Sequence, residues 1–182
     1  MQERAAKVAE LDAASTYAVG AAPRWHLVGP LQSNKARRAI ELFDVIETVD
    51  SVDLARRLDR LAPDVLPRRQ LSVLLQVNVD ADPAKAGFAA DAAAEAVTEI
   101  VELPSLRIDG LMTVGRQAES AEAARPTFVA LRRLSETLRA REPTLGPALS
   151  MGMTDDFEVA VEEGATHVRI GRAIFGARPT PR

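Results

Sequence analysis

The chain contains no cysteine, which excludes disulfides, thiolate metal sites and cysteine nucleophiles. Histidine is scarce as well, because only His26 and His167 occur among the 182 residues, and this argues against a histidine-rich metal site. A chain that uses no disulfide suits a reducing compartment, so we expect a cytoplasmic protein.

Long apolar runs are also missing, since no segment approaches the roughly 18 consecutive apolar residues of a membrane span. The first residues, MQERAAKVAELDAA, are charged and helical in pattern and do not resemble a signal for export. The formal net charge of -3 and the pI near 5.5 provide no general attraction to nucleic acid or to an anionic membrane surface. We therefore expect neither a membrane nor a nucleic-acid partner.

Short runs rich in Val, Ile and Leu alternate with longer stretches of helical period from residue 24 onward. This alternation is typical of βαβ units with a parallel sheet. Six strands are predicted, at residues 25–28, 45–49, 71–79, 106–112, 148–151 and 167–170. The composition and the absence of a linker-like tract predict one domain over residues 1–182.

The chain opens on an amphipathic helix, predicted at residues 2–13, with no strand before it. An eight-unit β/α barrel typically needs about 250 residues, so six strands after such a helix predict a TIM-like barrel without its first two strands. An open sheet is the competing interpretation. It is weakened because the dinucleotide pattern GxGxxG and the P-loop pattern GxxxxGK[ST] are both absent.

The segment LSMGMTDDFEVAVEEG carries helix boundary signals. Thr154 is predicted to cap a helix that starts at Asp155, with two acids in its first turn. Gly164 is predicted to end that helix.

The strongest candidate site lies at the last two strand ends, residues 148–176. Gly171 ends a strand and Arg172 starts a helical turn, so free backbone N–H groups and a helix dipole point at one spot, as a phosphate requires. Ser150 lies at the preceding strand end and can donate to the same anion. The alternative is a plain strand-to-helix turn.

Other polar residues also occur in or after strands. Arg169 lies within the final strand, where a structural salt bridge and a ligand contact are equally compatible with the sequence. The strand LSVLLQVNV turns polar at Gln76 and Asn78, which predicts that its carboxyl end reaches a polar site. His26 lies among apolar neighbours, which favours a hydrogen-bonded core residue over a general base.

Five segments together resemble the pyridoxal phosphate homeostasis proteins: WHLVGPLQSNKAR, FDVIETVDS, LLQVNVDADPAKAGF, LRIDGLMTV and LSMGMTDDFEVAVEEGATHVRIGRAIFGAR. The resemblance rests on HxxGxLQxNK, SMGM[ST]DD and RIGxxIFG occurring in the family's order. It implies a barrel of the alanine racemase N-terminal type, a monomer that binds pyridoxal 5'-phosphate at the carboxyl ends of its strands. It also implies a role in cofactor supply without established substrate turnover.

Matched to the family's motifs, Ser150, Gly171 and the Arg172 backbone would hold the phosphate. Arg169 would face the pyridine nitrogen, where a cation disfavours protonation of the ring. Asn78 and His26 complete the residues that we predict to bind the cofactor. No catalytic residue and no metal ligand is predicted.

This chain departs from the family at its start. The Schiff-base lysine of the family lies in a motif resembling AVSK, followed by a strand with FGEN, and neither is present. The lysines Lys7, Lys35 and Lys85 do not correspond to that position. We therefore expect weak, non-covalent binding of pyridoxal phosphate, and self-association through unpaired strand edges. A gene model begun at an internal Met and a shortened gene are equally consistent with this start.

Two other functions stay open at this point. An amino-acid racemase would need a base on each face of the substrate and a second domain to close the site, and neither is visible. A β/α protein that binds a sugar phosphate or nucleotide without pyridoxal phosphate would share the same strand-end anion site.

Overall fold

The computed structural model describes residues 23–116 and 118–176. The helix predicted at residues 2–13 lies outside the described residues. All six predicted strands are present within the described part of the chain, and each lies within two residues of its predicted bounds.

In the described part of the chain, seven parallel strands form the sheet, which has the order β1-β2-β3-β5-β6-β7, with β4 paired to β3. Their bounds are His26–Leu27 (β1), Val45–Val49 (β2), Leu71–Asn78 (β3), Phe88–Ala89 (β4), Leu106–Met112 (β5), Ala148–Met153 (β6) and His167–Arg169 (β7). The sequence did not predict β4, because two residues carry no detectable period.

Helices follow the strands, as right-handed βαβ units require. They are Ala36–Leu42 (α1), Val52–Val65 (α2), Ala93–Val101 (α3), Arg125–Arg141 (α4), Phe157–Glu162 (α5) and Arg172–Phe175 (α6), with 3₁₀ turns at Ser33–Lys35 and Glu122–Ala124. The hydroxyl of Ser51 accepts a hydrogen bond from the Leu54 N–H at the start of α2, which satisfies one of the free donors there.

Contacts across the sheet show that it is curled. Neighbouring strands lie about 4.8 Å apart, so β2 and β6 would be about 14 Å apart if the sheet were flat. Yet the Ser150 hydroxyl on β6 lies 2.5 Å from a carboxylate oxygen of Glu47 on β2. The rings of His26 and His167, on the two edge strands, have centroids only 5.6 Å apart. The sheet is therefore a half-barrel, which confirms the predicted fold class.

The two faces of this half-barrel have different chemistry. Along β3, alternate residues pack outward into the main core with the helices, and these are Leu71, Val73, Leu75 and Val77. The residues between them point to the inner face, where Leu74 is buried and Gln76 and Asn78 bring polar groups toward the carboxyl end. The helices thus stabilise the outer face, and the inner face is left for polar side chains.

The predicted start of α5 is wrong. The helix begins at Phe157 after Asp156, whose side chain accepts the Met153 N–H at 2.6 Å. Thr154 does not cap it, because its hydroxyl instead accepts the Gly171 N–H at 3.3 Å. The predicted end is confirmed, since Gly164 follows the helix with a φ of 92° that favours glycine.

Within the described residues, no helix is both long and apolar enough to cross a membrane.

Candidate functional site

A buried carboxylate lies at the centre of the inner face. Glu47 is 2% exposed and stands in the middle of β2, where its side chain points into the half-barrel. One of its oxygens lies 2.6 Å from Nδ1 of His26, and the other accepts the Ser150 hydroxyl at 2.5 Å. A buried charge is costly unless it is paired and hydrogen-bonded, and here both oxygens have partners.

These partners keep Glu47 ionised. Burial alone would raise the pKa of the Glu47 carboxyl, but hydrogen bonds from His26 and Ser150 and the charge of Arg169 oppose burial. The net result is a pKa below the ordinary value of a glutamate.

Arg169 approaches the same cluster from the other edge of the sheet. Its Nη1 donates to the Ser150 hydroxyl at 2.8 Å, and its Nη2 donates to the Thr113 carbonyl at 2.7 Å. Burial lowers the pKa of this guanidinium, and the negative charges of Glu47 and Asp156 oppose that shift. An arginine pKa is so high that the group stays protonated at any physiological pH.

A second group of donors lies just beyond β7. The Gly171 N–H points at the Thr154 hydroxyl, and Arg172 begins α6, so its backbone N–H belongs to a helix N-terminus. A Cβ at Gly171 would meet no atom within 4 Å, so the space beside this backbone is open. The side chain of Arg172 points elsewhere, because its guanidinium pairs with the Asp155 carboxylate.

The turn that carries Thr154 depends on a glycine. Gly152 has a φ of 87°, and a Cβ there would lie 2.5 Å from the Ala160 side chain. Only glycine combines that backbone conformation with so close an approach of α5. The SMGMT segment is therefore shaped so that Thr154 reaches the end of β7.

Of the residues predicted to hold a cofactor, Ser150, Arg169 and His26 share one hydrogen-bonded cluster with Glu47. Ser150 is fully buried, and its hydroxyl already donates to a carboxylate and accepts from a guanidinium. Gly171 and Arg172 lie at the separate donor group beyond β7.

Asn78 is used differently from what its position suggested. Its side-chain amide donates to the carbonyls of Asp82 and Lys85, at 2.8 and 3.3 Å, and its oxygen accepts the Asp82 N–H. Gln76 donates to the Ala86 carbonyl in the same loop. These contacts organise the loop after β3, and a direct contact of Asn78 with a ligand stays a prediction.

Sequence reasoning missed Glu47, which bonds to both His26 and Ser150 in the cluster. Its motif is a single glutamate within VIETV, and all five residues of that strand are buried. A lone charge within an otherwise uncharged, buried strand was the available signal, because alternation places Glu47 on the inner face. Among residues 23–116 and 118–176, no group of three or more His, Asp or Glu side chains could hold a metal ion.

The fold and this inner-face cluster define a parallel β/α half-barrel protein. The family described as alanine racemase, N-terminal domain, matches residues 3–179. The chain belongs to this family, which confirms the predicted fold and the predicted kinship.

Several curated relatives carry the name pyridoxal phosphate homeostasis protein. Those of Vibrio alginolyticus and Pseudomonas aeruginosa are 41% and 42% identical over 154 residues, which is 85% of this chain. The relative of Escherichia coli strain K12 is 41% identical over 158 residues. The matches cover 64–65% of those relatives, so the chain spans just under two thirds of their length.

Solved structures agree with this kinship. PipY of Synechococcus elongatus with pyridoxal phosphate bound is 38% identical with a TM-score of 0.82, over 96% of this chain and 78% of that chain. An alanine racemase of Clostridium difficile has a TM-score of 0.69 at 13% identity, over 97% of this chain and 46% of that chain, and shows the shared fold alone.

Proposed function

We propose that this chain binds pyridoxal 5'-phosphate at the carboxyl ends of its strands and serves the homeostasis of that cofactor without turning over a substrate. The observation that carries the proposal is the run from Arg169 to Arg172, which supplies a guanidinium on the inner face and, beyond it, the Gly171–Arg172 backbone beside the Thr154 hydroxyl. Relatives named for pyridoxal phosphate homeostasis, and PipY with that cofactor bound, support this ligand.

The donor set beyond β7 fits a phosphate. The Thr154 hydroxyl accepts the Gly171 N–H and so keeps its own hydrogen for a ligand, the Arg172 N–H begins α6, and the space beside Gly171 is open. We assign the phosphate to Thr154, Gly171 and the Arg172 backbone. Ser150 is left out because its buried hydroxyl is already used by Glu47 and Arg169.

The ring then lies toward Arg169. When it is bound, pyridoxal phosphate supplies an electron sink whose strength depends on protonation of its ring nitrogen. A guanidinium held at that nitrogen disfavours its protonation, which weakens the sink. A weakened electron sink favours a binding protein over an enzyme that needs the full strength of that sink.

Binding should be non-covalent. The described lysines are Lys35, in the 3₁₀ turn after β1, and Lys85, whose carbonyl is held by Asn78. Neither appears in a hydrogen bond with the Glu47 cluster in the described part of the chain, and neither matches the family's Schiff-base position.

We also propose that residues 1–182 act as one domain in the cytoplasm. The absence of cysteine supports that compartment. The family implies a monomer, but Val168, Ile174 and Phe175 expose large apolar side chains at the β7 edge. We therefore infer self-association at high concentration, because unpaired edges and apolar patches favour it.

Calorimetric titration of the purified chain tests the ligand. We expect pyridoxal 5'-phosphate to bind at least about tenfold more tightly than pyridoxal, because a charged phosphate contact is worth about 1.5–3 kcal/mol. Ribose 5-phosphate keeps the phosphate but lacks the ring, and should also bind more weakly. Equal affinity for ribose 5-phosphate and pyridoxal phosphate would instead support a sugar-phosphate protein.

A matched pair of variants tests the phosphate assignment. Thr154→Val removes the hydroxyl beside Gly171 and should weaken pyridoxal phosphate binding about tenfold. Thr137→Val removes a hydroxyl that donates to the Arg133 carbonyl within α4, and it should leave binding unchanged. Borohydride treatment of the complex, followed by peptide mass spectrometry, should label no lysine above background. A specific lysine label would contradict non-covalent binding.

A further inference from the structure

Glu47 stands behind Arg169, the residue that would face the ring of the ligand. It contacts His26 from β1 and Ser150 from β6, and the charge of Arg169 from β7 acts on it. Its carboxylate is buried, so the fold holds this charge for partners on three other strands.

The direction of the hydrogen bonds gives Glu47 its role. A serine hydroxyl has one hydrogen to donate, and an ionised carboxylate can only accept. The Ser150 hydroxyl therefore donates its hydrogen to Glu47 at 2.5 Å and accepts a hydrogen bond from Nη1 of Arg169 at 2.8 Å. If Glu47 were neutral, the hydroxyl would be free to rotate, and Arg169 would lose a fixed acceptor.

The Arg169 guanidinium is thus held at two of its nitrogens. Nη1 bonds to Ser150 and Nη2 bonds to the Thr113 carbonyl. An arginine side chain has five N–H donors in a rigid plane. Two such bonds therefore fix the orientation of that plane and the directions of the remaining N–H donors. The Thr113 bond is to backbone, which leaves Ser150 as the side-chain support that a substitution can remove.

We propose that Glu47 is the positioning residue of the ring site, and that it fixes the Arg169 guanidinium through the Ser150 hydroxyl. The inference rests on the proposed function, because the guanidinium is positioned for the ring of pyridoxal phosphate. Glu47 itself touches no ligand in this arrangement.

Glu47→Gln tests the charge and Ser150→Ala tests the link. The amide of glutamine has nearly the same shape as the carboxylate but can also donate, so it no longer dictates the direction of the Ser150 hydroxyl. Glu99→Gln is the matched control, since Glu99 is an exposed carboxylate paired with Arg56 on the outer helices. Circular dichroism confirms folding, and Ser150→Ala carries the test if Glu47→Gln does not fold.

The first measurement needs no ligand. Nitrogen-15 NMR of the arginine side chains, with Arg169→Lys used to assign the signal, reports rotation of the Arg169 guanidinium. We expect slow rotation in the parent chain and in Glu99→Gln, and at least about fivefold faster rotation in Glu47→Gln and Ser150→Ala. Unchanged rotation in both variants would overturn the proposal even if the chain binds no pyridoxal phosphate.

The second measurement is the affinity for pyridoxal phosphate. Both single variants should bind about tenfold more weakly, and the double variant should bind no more weakly than the weaker single one, because both act on the same link. Additive losses, or full affinity with a freely rotating guanidinium, would contradict positioning through Ser150. If the parent chain binds no pyridoxal phosphate, the proposed function fails and the NMR result alone decides whether Glu47 fixes Arg169.

Discussion

The centre and the edges of the sheet differ in how firmly they are built. The central strand β3 has eight residues, seven of them buried, and its outer face packs against helices. The edge strand β7 has three residues, and both His167 and Val168 are exposed. The candidate site draws on both regions, because Glu47 lies one strand from β3 whereas Arg169 lies on the edge.

This difference shows how the site is divided. The inner strands supply the buried acceptors, Glu47 and Ser150, in positions fixed by packing on both sides. The edges supply the donors, Arg169 and Gly171, from short elements with little packing of their own. Local stability falls where buried contacts are few, so we infer that the acceptor half of the site is preorganised and the donor half depends on it.

Glycine substitution should separate the two regions most strongly. Gly110 on β5 has a φ of 155°, and a Cβ there would lie 2.0 Å from the Ala148 carbonyl oxygen. Gly110→Ala should therefore destabilise the chain by more than about 4 kcal/mol. Gly171→Ala meets open space and should change stability by less than about 1 kcal/mol. Urea unfolding measures both, and equal losses would contradict the division.

Truncation of apolar side chains gives the next largest contrast. Leu75 on β3 is 1% exposed, so Leu75→Ala should cost about 3 kcal/mol. Val168 on β7 is 36% exposed, and Val168→Ala should cost less than about 1 kcal/mol. A shift in the urea midpoint at unchanged slope is the measure, and a comparable cost at Val168 would show that the β7 edge is covered.

Glu47 should make the stability of the folded chain depend on pH in acid. The pKa of Glu47 in the folded chain lies below the ordinary value of a glutamate, so its ionised form stabilises the fold. That contribution is complete above the unfolded value and is lost as the pH falls through the folded value. When the pH is lowered from neutral to below about 4.5, the free energy of unfolding should fall less in Glu47→Gln than in the parent chain. Parallel pH profiles would contradict a stabilising charge at this position.

The smallest effect is expected on the outer surface, where ion pairs tie the edge helix α5 to α4. Arg125 contacts Glu122 at 2.5 Å, Glu162 at 2.6 Å and Glu163 at 2.7 Å. Arg125→Met should lower Tm slightly in dilute buffer, and the difference should shrink in 1 M salt because salt screens exposed pairs. A large loss that salt does not change would mean that packing holds the α5 region through Arg125.

The strands of the sheet could be predicted from the sequence, because each long strand is a visible run of apolar residues. The details of the site depended on contacts between distant strands. Glu47 and Ser150 are 103 residues apart, and only the curl of the sheet brings them together. Thr154 was assigned to its own helix because local capping rules favour threonine, but the Gly171 N–H occupies its hydroxyl instead. Asn78 likewise bonds to its own loop.

A crystal structure of the chain with pyridoxal 5'-phosphate would test the central claim most directly. We predict the phosphate at Thr154, Gly171 and the backbone N–H of Arg172, with the ring nitrogen facing Arg169 and Glu47 still bonded to Ser150. A phosphate bonded to the Ser150 hydroxyl, or a ring placed away from Arg169, would contradict this account of the site.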